Sequence, residues 1–199
     1  MKSKILFWLS NDYTHFCISH FLQKSYDCDL YGIVDIPNKQ KNFFENQKLV
    51  NFKKIWYTFD NILKNHKVNM DNLVKFEKNY DINLWNLAIN ERHFYRFNLE
   101  HFSDEEILSI LEQECLLFEK ILDEVKPDFL ITKWASRHYH QLLIDLCLKK
   151  GIKVLQLGQP KIGYKMLISQ DPSKMDGIEN LDIVKSKNRD FQELRNFIK

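Results

Sequence analysis

Two short stretches of the chain carry a high density of reactive groups. Ser10-Asn-Asp-Tyr-Thr-His15 sets a carboxylate, Asp12, three residues from an imidazole, His15. Lys133-Trp-Ala-Ser-Arg-His138 holds two cations, Lys133 and Arg137, the hydroxyl of Ser136 and a second imidazole, His138. A carboxylate or imidazole can take a proton from a hydroxyl, and cations beside a helix start attract phosphate. Asp12 and His15 are therefore the candidate general bases. Lys133, Ser136, Arg137 and His138 are candidate binding groups. Glu91-Arg-His93, near Trp85, is a further cluster, in which Arg92 could clamp a phosphate while an aromatic ring stacks on a sugar. Each stretch also has a plainer description. Asp12 and Ser136 fit helix caps, Lys133 and Arg137 fit solvated cations, and Arg92 fits the outer face of an amphipathic helix.

Metal and phosphate motifs are weaker. His15-x-Cys17-x-x-His20 contains ligand residue types. On a helix His15 lies well around from His20, and no second pair has zinc-site spacing. The stretch reads as a core thiol, Cys17, beside two partly exposed imidazoles. His138 and His140 are two apart and diverge on a helix. None of the five glycines forms the dinucleotide-binding turn. Gly158 to Lys165 is not a P-loop, because its Lys comes one residue late and no Ser or Thr follows. No motif requires a metal or a cofactor.

The composition narrows the partners. The 199 residues carry 29 basic and 27 acidic groups, a net charge of +2. Lys supplies 24 of the 29, the poorer residue for bidentate recognition, so the balance argues against nucleic acid as a partner. No apolar run reaches the roughly 18–20 residues of a transmembrane segment. The N-terminus has neither an adequate apolar stretch nor a small-residue cleavage site, which reads against a signal peptide. Four cysteines without paired spacing read as reduced, mostly buried thiols, and the compartment implied is the cytoplasm.

The elements that must position these groups follow from periodicity. Lys4–Ser10 reads as a buried strand, 13–24 as a helix, Asp29–Val34 as a strand closed by Asp35, and Lys54–Thr58 as a weaker strand. A short helix is expected over 41–48. The Asn- and aromatic-rich stretch 60–100 reads as an inserted helical layer, with helices at 71–80 and 83–93. Ser103 and Glu106 form a capping box, with Phe102 and Ile107 as hydrophobic staple, ahead of an amphipathic helix to Val125. Lys126-Pro127 ends it. Asp128–Thr132, Ser136–Lys150 and Lys153–Leu157 form a β-α-β unit with Gly151 past the helix end. A further strand fits within 164–169. The expected architecture is α/β, a doubly wound Rossmann-like parallel sheet over residues 1–172. A polar tail, 173–199, with a short helix at 191–198, follows it. Ligands of such folds lie beyond the strand carboxyl ends where the strand order reverses. Loops 10–15 and 133–138 should face one positively biased crevice there.

Three segments together carry a resemblance: Asn83-Leu-Trp-Asn-Leu-Ala-Ile-Asn-Glu-Arg92, Phe118-Glu-Lys-Ile-Leu-Asp-Glu-Val-Lys-Pro-Asp-Phe-Leu-Ile131 and Gly158-Gln-Pro-Lys-Ile-Gly-Tyr-Lys-Met-Leu-Ile-Ser-Gln-Asp171. They resemble the N-terminal, acceptor-side part of capsular and surface-polysaccharide biosynthesis proteins with a GT-B glycosyltransferase-like architecture. The resemblance implies a transferase of activated sugars, with a nucleotide-sugar or glycan-phosphate ligand. Either a partner chain would supply the donor domain, or the chain would be a truncated or divergent relative without transferase activity; the location expected is the cytoplasm, with a peripheral place at the inner face of the membrane as a variant of it. It also adds Lys161 to Lys133 and Arg137 as groups that would neutralise phosphate. The alternative is a non-catalytic, flavodoxin-like binding or protein-interaction module.

Overall fold

Residues 4–9 are apolar almost without interruption, the pattern of a strand covered on both faces rather than one. They form β1 (Ser3–Leu9), which lies inside a sheet with β2 (Cys28–Val34), β3 (Phe52–Tyr57), β4 (Phe129–Lys133), β5 (Lys153–Gly158) and β6 (Leu167–Ser169). The structure, a computed structural model, describes residues 2–36, 38–95, 102–158, 166–171 and 195. The strand order is β3-β2-β1-β4-β5-β6. The first five strands are parallel, with Phe7 opposite Gly32 on one side and Ile131 on the other. β6 closes the edge antiparallel to β5 within the 164–169 expected, of which 164–165 lie outside the described residues. The order runs outward from β1 in both directions, so the chain reverses between β1 and β4. This is the Rossmann-like α/β arrangement.

Alternate residues of β1 serve two cores, as strand geometry requires. Ile5, Phe7 and Leu9 join a cluster with Phe16 of α1 (Thr14–Ser25) and Phe44 of α2 (Asn38–Asn46). Leu6 and Trp8 face the opposite layer. That layer comprises α7 (Asp104–Val125), α8 (His138–Lys149) and the insertion, α3 (Thr58–Asn61), α4 (Met70–Tyr80), α5 (Leu84–Ile89) and α6 (Arg92–Tyr95). The helix foreseen over 83–93 is thus split into α5 and α6. Asn90 ends α5, its side-chain amide bonding back to the Asn86 carbonyl, and Glu91 turns inward from the break.

The expected capping box of α7 is present in both directions, Ser103 Oγ to the Glu106 N–H and Glu106 to the Ser103 N–H. Two α7 polar groups, both buried, anchor the connection into α4. Glu112 accepts from the Asn69 N–H at 2.8 Å and from Asn72 Nδ2 at 2.6 Å, and Gln113 accepts from the Leu63 N–H at 2.7 Å. The tail 173–199, apart from Arg195, and residues 159–165 lie outside the described residues.

Candidate functional site

At the strand-order reversal the two loops do approach one another. His15 of α1 lies against the end of β4, where the Thr132 backbone and the Lys133 charge bear on its ring. The result is not an open crevice. His15 is 2% exposed, and among the described residues neither of its ring nitrogens has a hydrogen-bond partner. Burial pushes its pKa down. The phase of α1 explains this: it turns His15, Phe16 and Ser19 to the sheet and leaves Cys17 exposed, the reverse of the core thiol expected there. Of the other thiols, Cys115 and Cys147 are buried and Cys28 only partly so. Asp12 is a turn residue. Its Oδ1 accepts from the Thr14 N–H at 2.9 Å and its Oδ2 from Ser10 Oγ at 3.1 Å. Tyr13 beside it has φ 55°, a left-handed backbone held by packing on Phe43 and Phe44.

The open cavity lies one layer over, beyond the carboxyl ends of β2 and β3 and against α7 and the start of α8. It holds about 430 Å³. Phe59, Phe94, Phe102, Ile110, Leu117 and Phe118 are among its apolar walls, and its polar groups include Asp35, Glu91, Glu114, Arg137, His138 and Tyr139, with Lys64 and Glu106 adding one charge of each sign. Arg137 and His138, expected in a crevice between loops 10–15 and 133–138, line this cavity instead, and no residue of 10–15 does. Its cations are matched by carboxylates. Lys133 is half-buried at the end of β4 and acts on Asp35 and His140 through its charge rather than lining the cavity. Ser136 and Arg92 are exposed and stand outside the lining. Lys161 lies outside the described residues.

Ser136 also does not cap the helix. α8 begins two residues later, with Arg137 at the N-cap and no side-chain cap from it. The His138 backbone N–H donates instead to Glu91 Oε2 at 3.0 Å. The His138 ring is gripped at both ends, by Nδ1 donating to Glu91 at 2.9 Å and by Nε2, which lies 2.9 Å from a Glu114 oxygen. Burial opposes a charged ring, but the two carboxylates outweigh it and raise the His138 pKa to about 9. Burial likewise opposes ionisation of Glu91, yet the His138 hydrogen bonds and charge, with Arg137, hold its carboxyl below the ordinary range. His140, two residues on, has the opposite fate. Burial, followed by the charges of Lys133, Arg137 and His138, drives its pKa down to about 3, and its ring meets the edge of Trp8 at 4.7 Å.

Across the cavity Asp35 follows the last residue of β2. Its Oδ2 accepts from the Tyr139 hydroxyl at 2.9 Å and its Oδ1 from Thr58 Oγ1 at 3.4 Å. Burial raises the Asp35 pKa, against the pull of those donors and of Lys133 and Arg137. The site thus offers a carboxylate shifted toward neutrality, a hydroxyl, a fixed imidazolium and aromatic walls. Among the described residues, no group of His, Cys, Asp and Glu is arranged to hold a metal ion.

Sequence reasoning passed over Asp35, Glu114 and Tyr139 and took Arg92 from the 91–93 cluster instead of Glu91. Two of these had a signal. Asp35 ends a buried strand at its carboxyl edge, and Glu114 stands on the apolar face of its helix, four residues from Ile110 and Phe118.

No protein-family model matches the chain, and no curated protein matches it. Among solved structures it is similar to tyrosyl-tRNA synthetase complexed with L-tyrosine from Archaeoglobus fulgidus, at 8% identity and a TM-score of 0.39. That match covers 76% of this chain and 52% of the other, so the chain spans about half the synthetase chain. The class is Rossmann-like α/β, by its strand order. No helix among the described residues is long and apolar enough to cross a membrane.

Proposed function

We propose that this chain is the acceptor-side half of a GT-B-like glycosyltransferase of surface-polysaccharide biosynthesis, acting in the cytoplasm with a nucleotide-sugar donor held by a partner chain or domain. The observation that carries the reading is the cavity beyond β2 and β3, where aromatic walls meet Asp35 and Tyr139. Sugars present apolar faces that stack on rings and hydroxyls that bond to carboxylates, and both kinds of partner are present. In this role Asp35 replaces Asp12 and His15 as general base, because it lines the cavity whereas His15 is sealed and Asp12 is held in a turn. A carboxylate whose pKa is raised is the better matched base for a hydroxyl near neutral pH. Arg137 lies at the same cavity but faces Glu91, which leaves Lys133 and Lys161 as the candidate contacts for donor or glycan phosphate.

Titration of the purified chain with neutral oligosaccharides, followed by backbone amide shifts, tests this. Saturable shifts around the cavity are expected. Asp35→Ala should weaken binding about tenfold to a hundredfold, the loss of one charge-assisted hydrogen bond of roughly 1.5–3 kcal/mol. No sugar transfer is expected from this chain alone. Efficient turnover by the monomer would show a complete active site, and absence of any saccharide binding would favour a protein-interaction module instead.

A further inference from the structure

The first N–H groups of a helix at the carboxyl edge of such a sheet point outward without partners, and the helix dipole adds a partial positive charge. Substrate anions use that position in folds of this kind. Here it is already filled. Glu91, 47 residues away and brought in by the inserted layer, sets Oε2 on both the backbone N–H and the ring Nδ1 of His138. Arg137 Nη1 lies 3.9 Å from its other oxygen. The carboxylate is 4% exposed, so it is packed into place rather than resting on the surface.

We infer that Glu91 is a specificity-determining residue, an internal anion that occupies the start of α8 and bars phosphate- and carboxylate-bearing groups from that part of the cavity. The charges explain how. Among the described residues, Arg137 and His138 face Glu91 and Glu114, so each of these four charges has an opposite charge beside it without a ligand. An entering phosphate would have to displace a carboxylate with two hydrogen bonds to His138. The displaced Glu91 would lose the cation it shares with Glu114, and unpaired charge in a buried site is costly. A neutral hydroxylated ligand makes no such demand. That second half of the argument rests on the cavity being the acceptor site, whereas the exclusion of anions does not.

The test follows the His138 backbone amide by NMR at pH 7 during titration with inorganic phosphate, in wild type, Glu91→Ala and Glu91→Gln, with methyl glucoside as a neutral probe. Phosphate should leave this amide unmoved in the wild type. It should shift it saturably in Glu91→Ala, with affinity at least tenfold higher. Glu91→Gln, which keeps a neutral acceptor over the same N–H, should fall between the two and serves alone if the alanine variant does not fold. Equal phosphate affinity in wild type and variants would overturn the inference, and so would folded variants that gain none. Failure of both variants to fold would make Glu91 a structural strut and overturn it too. If phosphate behaves as expected while methyl glucoside leaves the cavity untouched, the exclusion stands and the acceptor reading falls.

Discussion

A buried imidazolium between two carboxylates carries the desolvation cost of all three charges, and the arrangement stabilises the fold only while all three are present. For His138 the folded pKa of about 9 lies above the ordinary 6.5, so its contribution is complete below 6.5 and is lost as pH rises through about 9. Glu91 is depressed below 4.5, so its contribution is present above that value and is lost as pH falls through the lower folded one. The joint contribution of these two groups, read by urea unfolding, should therefore be level between about pH 5 and 6.5 and fall between about 6.5 and 9. His138→Leu leaves Glu91 and Glu114 buried without their shared partner. It should cost about 3–5 kcal/mol and flatten the alkaline decline. A decline that persists unchanged in the variant would assign the titration to another group. Two of these three residues were legible in the sequence, His138 by its place in a reactive stretch and Glu114 by its place on a helix. Glu114 interrupts an apolar helical face, which marks a polar group that must find a buried partner, but nothing near Glu91 in sequence names a partner 47 positions away.

Helix ends set by local chemistry were the most legible elements, and ends set by tertiary contacts the least. The Ser103–Glu106 box and the stop at Lys126, with φ 49° before Pro127, are encoded within a few residues and appear where the sequence places them. The start of α8 is not encoded that way. Ser136 has the right chemistry for a cap, yet the loop is drawn past it by Trp134, whose backbone N–H donates to the Leu157 carbonyl at 3.3 Å and whose ring lies over Gly158. A Cβ on Gly158 would stand 2.1 Å from that ring, so only glycine admits it without displacement. Gly158→Ala should then destabilise by roughly 1–3 kcal/mol, the range for overpacking. Because Trp134 is itself 37% exposed, removing the ring costs less than clashing with it. Adding Trp134→Ala to Gly158→Ala should recover most of the loss, a coupling that chemical denaturation of the two single variants and the double variant would measure. Additive losses would mean that the ring is not what the glycine accommodates.

The insertion between β3 and α7 decides whether the molecule behaves as one folding unit or two. Its helices supply Leu73, Phe76, Leu84 and Ala88 to the same buried cluster as Ile107 and Leu111 of α7, Leu6 and Trp8 of β1 and Leu142 of α8. The expectation of a helical layer packed on the sheet came from its aromatic content, too high for a solvated linker. The split of its second helix was hidden because the ion pair that draws Glu91 inward is tertiary. β1, shared by both cores, ties that layer to α1 and α2 on the opposite face. Unfolding should accordingly be a single cooperative event. Leu111, fully buried, is the probe: Leu111→Ala should cost about 2–5 kcal/mol through the cavity it leaves. In native-state hydrogen exchange the slowest amides of α1, α4, α5 and α8 should all accelerate by the factor that this loss predicts, since each would exchange only through global opening. The amides of α4 and α5 discriminate between the two cases. If they exchange at a rate that Leu111→Ala leaves unchanged, the insertion opens by itself, and Glu91 is then released from His138 whenever it does so. The anion-excluding position at the start of α8 would in that case be transiently open in the wild type, at a frequency set by the insertion's own stability rather than by that of the whole fold.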